Sequence, residues 1–149
     1  MAANTSPIFS LTPNVGTVSI TQASANTSSA GGGTVGTDIV KVFTASANGS
    51  FVQKIRFMSV ATAPTTGVAA TLRVFISTVG SGSTTASNTF LIGEVPVPAI
   101  ASDATTAATN YYDFIINSAI PTGTFILVTQ HVAQTANQNW VAVCFGGDY

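Results

Sequence analysis

The sequence predicts an all-β protein, an antiparallel β-sandwich of about eight strands with a jelly-roll-like topology and an extended N-terminal arm. Three observations carry the prediction. Across 149 residues, short segments rich in Val, Ile, Phe and Thr are punctuated by 13 Gly and 6 Pro. No apolar period of 3.6 residues is sustained anywhere. The segment Phe51-Val52-Gln53-Lys54-Ile55-Arg56-Phe57-Met58 alternates, which sets Phe51, Ile55 and Phe57 on one face and Lys54 and Arg56 on the other.

In chain order, residues 1–14 form the arm, and a single sandwich domain covers residues 15–149. The first strand is expected over Val15 to Thr21, followed by a flexible loop from Ala23 to Thr37 that contains Gly31-Gly32-Gly33. A second strand spans Asp38 to Thr44 and a third Phe51 to Val60. Between them, Asn48-Gly49 signals a hairpin, because both residues tolerate positive φ. Further strands are expected at Ala70 to Thr78, Thr89 to Val97, Asn110 to Asn117, Thr124 to Val132 and Asn139 to Phe145. The Thr-rich stretch Ala99 to Ala108 allows one helical turn and nothing longer. Pro96 and Pro98, two residues apart, withhold their missing N–H groups from the same strand edge. Val95 to Pro98 is therefore an edge strand or an extended arm, not a central strand.

Composition narrows the function. Apolar residues make up 46% of the chain, enough for a core, while charged residues make up 6% against a usual value of roughly 25%. Four Lys and Arg against five Asp and Glu give no polybasic face for nucleic acid or anionic lipid. No apolar run approaches the roughly 18 residues of a membrane helix, and the start of the chain lacks the pattern of a secretory signal. The single Cys144 forms no intrachain disulfide, in keeping with synthesis in a reducing cytoplasm. Glycosylation-type triplets begin at Asn4, Asn26 and Asn48, as a Ser/Thr-rich chain produces by chance.

Catalytic arrangements find little support. His131 and Cys144 fall on a C-terminal hairpin whose turn, Ala133 to Gln138, sets His131 opposite Trp140 and Cys144 opposite Leu127. That is about four residues of strand rise apart, roughly 13 Å, too far for a Cys/His dyad. No G-x-S-x-G elbow, zinc-ligand set, phosphate-binding glycine loop or spaced acid motif is present. No cofactor or metal is expected. Carbohydrate binding stays open, since Trp140, Tyr111, Tyr112 and Tyr149 offer rings for stacking. Strand edges in sheet proteins are commonly guarded by charge, particularly Lys. Here Ser and Thr make up roughly a quarter of the chain and guard nothing by charge. A neutral, hydroxyl-rich β surface suits burial in a symmetric assembly.

The Ala/Thr/Ser/Asn-rich start Met1-Ala2-Ala3-Asn4-Thr5, the continuous β segments, Ile120-Pro121-Thr122-Gly123-Thr124-Phe125, Asn139-Trp140-Val141-Ala142-Val143 and the terminal Gly146-Gly147-Asp148-Tyr149 carry a resemblance. The chain resembles small virion proteins of tailed bacteriophages, most closely capsid decoration (cement) proteins. The resemblance implies a non-catalytic homo-oligomer, a trimer, on the outside of an icosahedral head, bound to the major capsid protein. It implies no catalytic residue, nucleic acid or membrane partner. The contact residues it implies are Pro7, Phe9 and Pro13 in the arm, Pro96 and Pro98 at the strand edge, and Asp148 and Tyr149 at the end. A tail, baseplate or fibre-associated protein and a carbohydrate-binding module are the alternatives.

Overall fold

A computed structural model describes residues 10–21, 23–105 and 111–149. Eight principal strands form two antiparallel four-stranded sheets: β1 (Thr12–Ile20), β3 (Val40–Thr44), β4 (Ser50–Ala61), β6 (Ala70–Ser77), β8 (Thr89–Val97), β10 (Tyr111–Ile120), β11 (Phe125–Gln130) and β12 (Gln138–Asp148). The first sheet runs β1-β12-β4-β10 and the second β3-β11-β6-β8. Counted among the eight, these orders are 1-8-3-6 and 2-7-4-5, the double Greek key of a jelly roll, so the expected fold class is what the chain adopts. Two short pairs complete it, β2 (Gly33–Val35) with β7 (Gly82–Thr84) and β5 (Thr65–Thr66) with β9 (Ala101–Ser102).

This topology corrects both expected hairpins. β3 and β4 lie in different sheets, so Asn48-Gly49 turns a corner between them; Gly49 takes φ 86° and Asn48 stays out of the left-handed region, which a two-residue I′ hairpin would require of both. β11 and β12 are also in opposite sheets, so His131 does not face Trp140, and Cys144 does not face Leu127. Trp140 instead pairs with Ile20 and Ser59, and Cys144 with Gly16 and Ile55. Adjacent strands in sequence share a sheet only at β6 and β8.

Alternation builds the core. β12 buries Gln138, Trp140, Ala142 and Cys144 and turns Val141, Val143 and Phe145 outward. The inward side chains of both sheets, among them Phe57, Ile55, Leu72, Val74, Ile126 and Val128, interdigitate in one cluster. In β4 the alternation breaks at Gln53. Phe145 pairs with Lys54 but Gly146 pairs with Val52, so the bulge hands the inward position to Val52 and takes Phe51 off the face of Ile55 and Phe57. The first strand begins at Thr12, with Thr12, Pro13 and Asn14 paired to Asp148, Gly147 and Gly146. No helical turn forms over residues 99–105, where β9 and a turn held by Asp103 lie; residues 106–108 are outside the described residues.

The segment expected to be a flexible loop is built into the fold. Asn26 donates through Nδ2 to Gly32 O and to Asp38 Oδ2, its backbone N–H donates to Gln130 O, and its carbonyl accepts from Arg73 Nη1 at 3.1 Å. These bonds lay residues 23–39 across the outer face of the second sheet. There Ile39 closes over Phe75 and Leu127, all three fully buried, with Val35 and Phe125 at the margin. Asn26, one of the glycosylation-type positions, is buried within this layer. Truncating the capstone, Ile39→Ala, is expected to cost about 2–5 kcal/mol. Urea denaturation reads the loss, and limited proteolysis should then cut first within residues 23–39.

Candidate interaction surfaces

Among the described residues, the outer face of the first sheet has no such cover. Cα pairing places its outward side chains in three rows: Val15, Phe145, Lys54 and Ile115; Thr17, Val143, Arg56 and Asp113; Ser19, Val141, Met58 and Tyr111. Val15, Tyr111 and Ile115 are each more than half exposed, and the central valines, Met58 and Phe145 are half-buried. The face is thus apolar with one ionic knot at its centre. Asp113 accepts from Arg56 Nε at 2.7 Å and Nη2 at 2.8 Å, and from Lys54 Nζ at 2.7 Å. The Arg56 guanidinium lies 3.8 Å from the Tyr111 ring centre, and Lys54 Nζ 5.7 Å from that of Phe145. Two cations thereby share one carboxylate and two ring faces.

Hydrogen bonds from Arg56, and then from Lys54, hold the Asp113 carboxyl down at about 2, against the partial burial that pushes it up.

The remaining acids are dispersed, each on its own partners. Asp38 accepts from Thr34 N and Asn26, Glu94 from Arg73 Nε at 2.7 Å, and Asp103 from Thr105. Asp148 accepts from Asn14 Nδ2 at 3.0 Å and Ser50 Oγ at 2.5 Å. His131 Nδ1 accepts from Thr71 N at 3.1 Å. Burial pushes the Cys144 thiol up to about 12. Among the described residues no three His, Cys, Asp or Glu side chains gather to hold a metal, and no helix is long and apolar enough to cross a membrane. Trp140 is fully buried with Tyr112 edge-on at 6.0 Å, so it forms no stacking platform for a glycan.

The residues expected at contacts do not form one site. Pro7 and Phe9 lie outside the described residues. Pro13, Asp148 and Tyr149 sit together where β1 and β12 end, with Pro13 exposed, Asp148 tied to Asn14 and Ser50, and Tyr149 N–H donating to Gly49 O. Pro96 and Pro98 are exposed on the other sheet, where β8 is an edge strand as its prolines require. The larger surface, the outer face of the first sheet, was visible in sequence only as the alternation of Lys54 and Arg56.

No protein-family profile matches the chain, and no curated protein matches it in sequence. Solved structures that resemble it include two viral ones. One is a chain of the cyanophage Pam1 capsid asymmetric unit, with TM-score 0.41, 14% identity, and coverage of 99% of this chain and 94% of that one. The other is the infectious bursal disease virus VP2 subviral particle, with TM-score 0.32 and 16% identity; the match covers 99% of this chain but spans 37% of VP2. Likenesses of that degree carry no functional argument, and the jelly-roll assignment rests on the strand order.

Two outcomes test the geometry. A carboxyl depressed in the folded state contributes stability above its unfolded value of about 3.9 and loses that contribution as pH falls toward 2. Asp113→Asn should therefore cost up to about 1 kcal/mol at pH 7, since the pair is partly exposed, and the gap to wild type should close by pH 2 in urea midpoints. Cys144 should ignore a thiol reagent in the native protein and react once denatured.

Proposed function

We propose that this protein is a non-catalytic structural component of a virion: a decoration (cement) protein that sits as a homotrimer on the exterior of an icosahedral head and binds the major capsid protein, after synthesis in the host cytoplasm. One observation carries the reading. The chain covers the outer face of its second sheet with its own residues 23–39, and among the described residues nothing covers the comparably apolar outer face of the first sheet. An apolar β face with its ionic groups already paired suits a broad partner surface, where core contacts are apolar and charge is depleted. The jelly roll, a fold frequent in capsid and lectin domains, supports this at the level of architecture. The buried Trp140 weighs against the lectin-like alternative.

Binding only to the assembled shell stabilises that state by mass action, and repetition over many equivalent sites multiplies modest affinities. The closest alternative is a tail, baseplate or fibre-associated protein, and copy number per particle separates the two.

Co-sedimentation with shells lacking the protein tests the reading. Association is expected to persist from about 0.1 to 1 M salt, because an apolar face offers few charges to screen. Val141→Asp, which sets a carboxylate on the open face, should weaken it about tenfold or more, about 1.4 kcal/mol. Protein that ignores every shell at all salt concentrations would reject the proposal.

A further inference from the structure

One corner of the outer face of the first sheet is shaped as a cleft. Pairing aligns Pro13, Gly147 and Phe51 across the sheet, next to the row of Val15 and Phe145. Gly146 turns inward, where the Phe43 ring lies against it, and Gly147 turns outward. With no side chain at Gly147, the outward row has a gap at its centre. The result is a cleft of about 360 Å³ walled by Pro13, Val15, Phe51, Gln53 and Phe145.

The chain ahead of β1 already stands in this cleft. A Cβ added at Gly147 would collide with the Cβ and Oγ of Ser10, so the Ser10 side chain takes the outward position that Gly147 leaves vacant. Leu11 N–H donates to Asp148 O at 2.7 Å and fixes the backbone one residue further on. Ser10 is therefore part of the lining. Consecutive Cα atoms lie about 3.8 Å apart, so residue 9 starts at the cleft whatever course the chain takes before it. Residue 9 is Phe, and Ile8 precedes it.

We propose that the N-terminal segment docks on its own chain: Phe9 seats its ring in this cleft against Val15, Phe51 and Phe145, with Ile8 alongside. The tether selects the occupant. Ser10 is held on Gly147, so the ring arrives from one residue away, without the loss of translation and rotation that a separate molecule would suffer. Val15 is 55% exposed and Phe51 and Phe145 are half-buried, so seating the ring removes apolar surface from water on both sides of the contact. The second sheet is covered by the chain's own residues 23–39, and the first is covered at this corner by the same means. The rows that carry Val141, Val143, Met58 and Tyr111 remain open to a partner. Phe9 is then engaged within its own chain and does not reach across to a neighbouring subunit. This docking goes beyond the proposed function and does not rest on it.

Solution NMR on the full chain reads the contact directly. Nuclear Overhauser effects are expected between the Phe9 ring protons and the Val15 methyl groups. In a mixture of isotope-labelled and unlabelled chains, they are expected within a chain and not between chains. Their absence would overturn the docking, and so would their appearance between chains, which would mean that the segment crosses to a neighbour. Phe9→Ala is expected to lower the urea midpoint by about 0.5–1 M, and Phe9→Leu, which keeps an apolar occupant, by less than Phe9→Ala. An unchanged midpoint in Phe9→Ala would equally overturn it. None of these readouts involves a shell, so their failure leaves the functional reading standing, and a failure to co-sediment leaves the docking standing.

Discussion

The two margins of the sandwich are held by opposite means, and the remaining surface follows from that contrast. On one side β1 lies directly against β3. A Cβ at Gly16 would strike the carbonyl of Val42, so only glycine lets the two backbones approach there. On the other side the sheets are wedged apart: the ring of Phe114, from β10, occupies the space above Gly93 in β8. The backbone contact brings β1 and β3 together beside a cleft of about 290 Å³ lined by Asn14, Thr17 and Lys41 to Thr44, and the aromatic wedge opens one of about 240 Å³ at the other margin. A single glycine in each place, with Cβ space denied by backbone in one case and by a ring in the other, decides what meets at each margin.

Charge is allotted with similar economy. Arg73, nearly buried, bonds Glu94 and the carbonyl of Asn26, and so pins the covering segment 23–39 to the second sheet. Lys41 stands over the Phe125 ring at 5.3 Å. Lys54 and Arg56 divide Asp113 between them. Every cation therefore faces an acid or a ring, and the exterior is left to Thr, Ser, Ala and a few aliphatic side chains. Isolated exposed pairs of this kind contribute little stability, at most about 1 kcal/mol each. Their larger effect is to remove charge from surfaces that would otherwise repel or attract at long range.

The local pattern of this fold was legible in sequence and the long-range order was not. β8 occupies Thr89–Val97 as its residues indicate, and Pro96 and Pro98 correctly place it at an edge, because a missing N–H is a local property that pairing must obey. Hairpin signals misled for the complementary reason: a tight turn states that the chain reverses, not whether the reversal stays in one sheet. Gly49 serves a corner as well as a hairpin. The bulge at Gln53 has no local signature, since Phe51 and Val52 are both apolar and either can point inward. Residues 23–39 read as a flexible loop on glycine content, yet Asn26, Asp38 and Ile39 supply the bonds and the apolar cap that order it. Asn26 stands 12 residues before Asp38, and the three gain meaning only once Arg73, Phe75 and Leu127 are beneath them. The same holds for the open face: Lys54 and Arg56 were visible, but Asp113 and Tyr111 arrive from a strand about sixty residues away.

The unequal treatment of the two sheets is the more informative for being costly to avoid. Covering the second sheet takes residues 23–39, which give up backbone freedom on ordering. Burial of Ile39, Phe75 and Leu127 and the Asn26 and Arg73 bonds act against that loss. Among the described residues no second such layer lies over the first sheet, where Val141 and Val143 stand half-buried. An assembled partner supplies the cover already ordered, so its entropy of folding is met within the partner's own fold. Only the loss of rotation and translation remains, and repeated sites on one rigid surface reduce even that per contact. An open, flat, charge-quenched β face is therefore more economical on a protein that works in an array than on one that works alone.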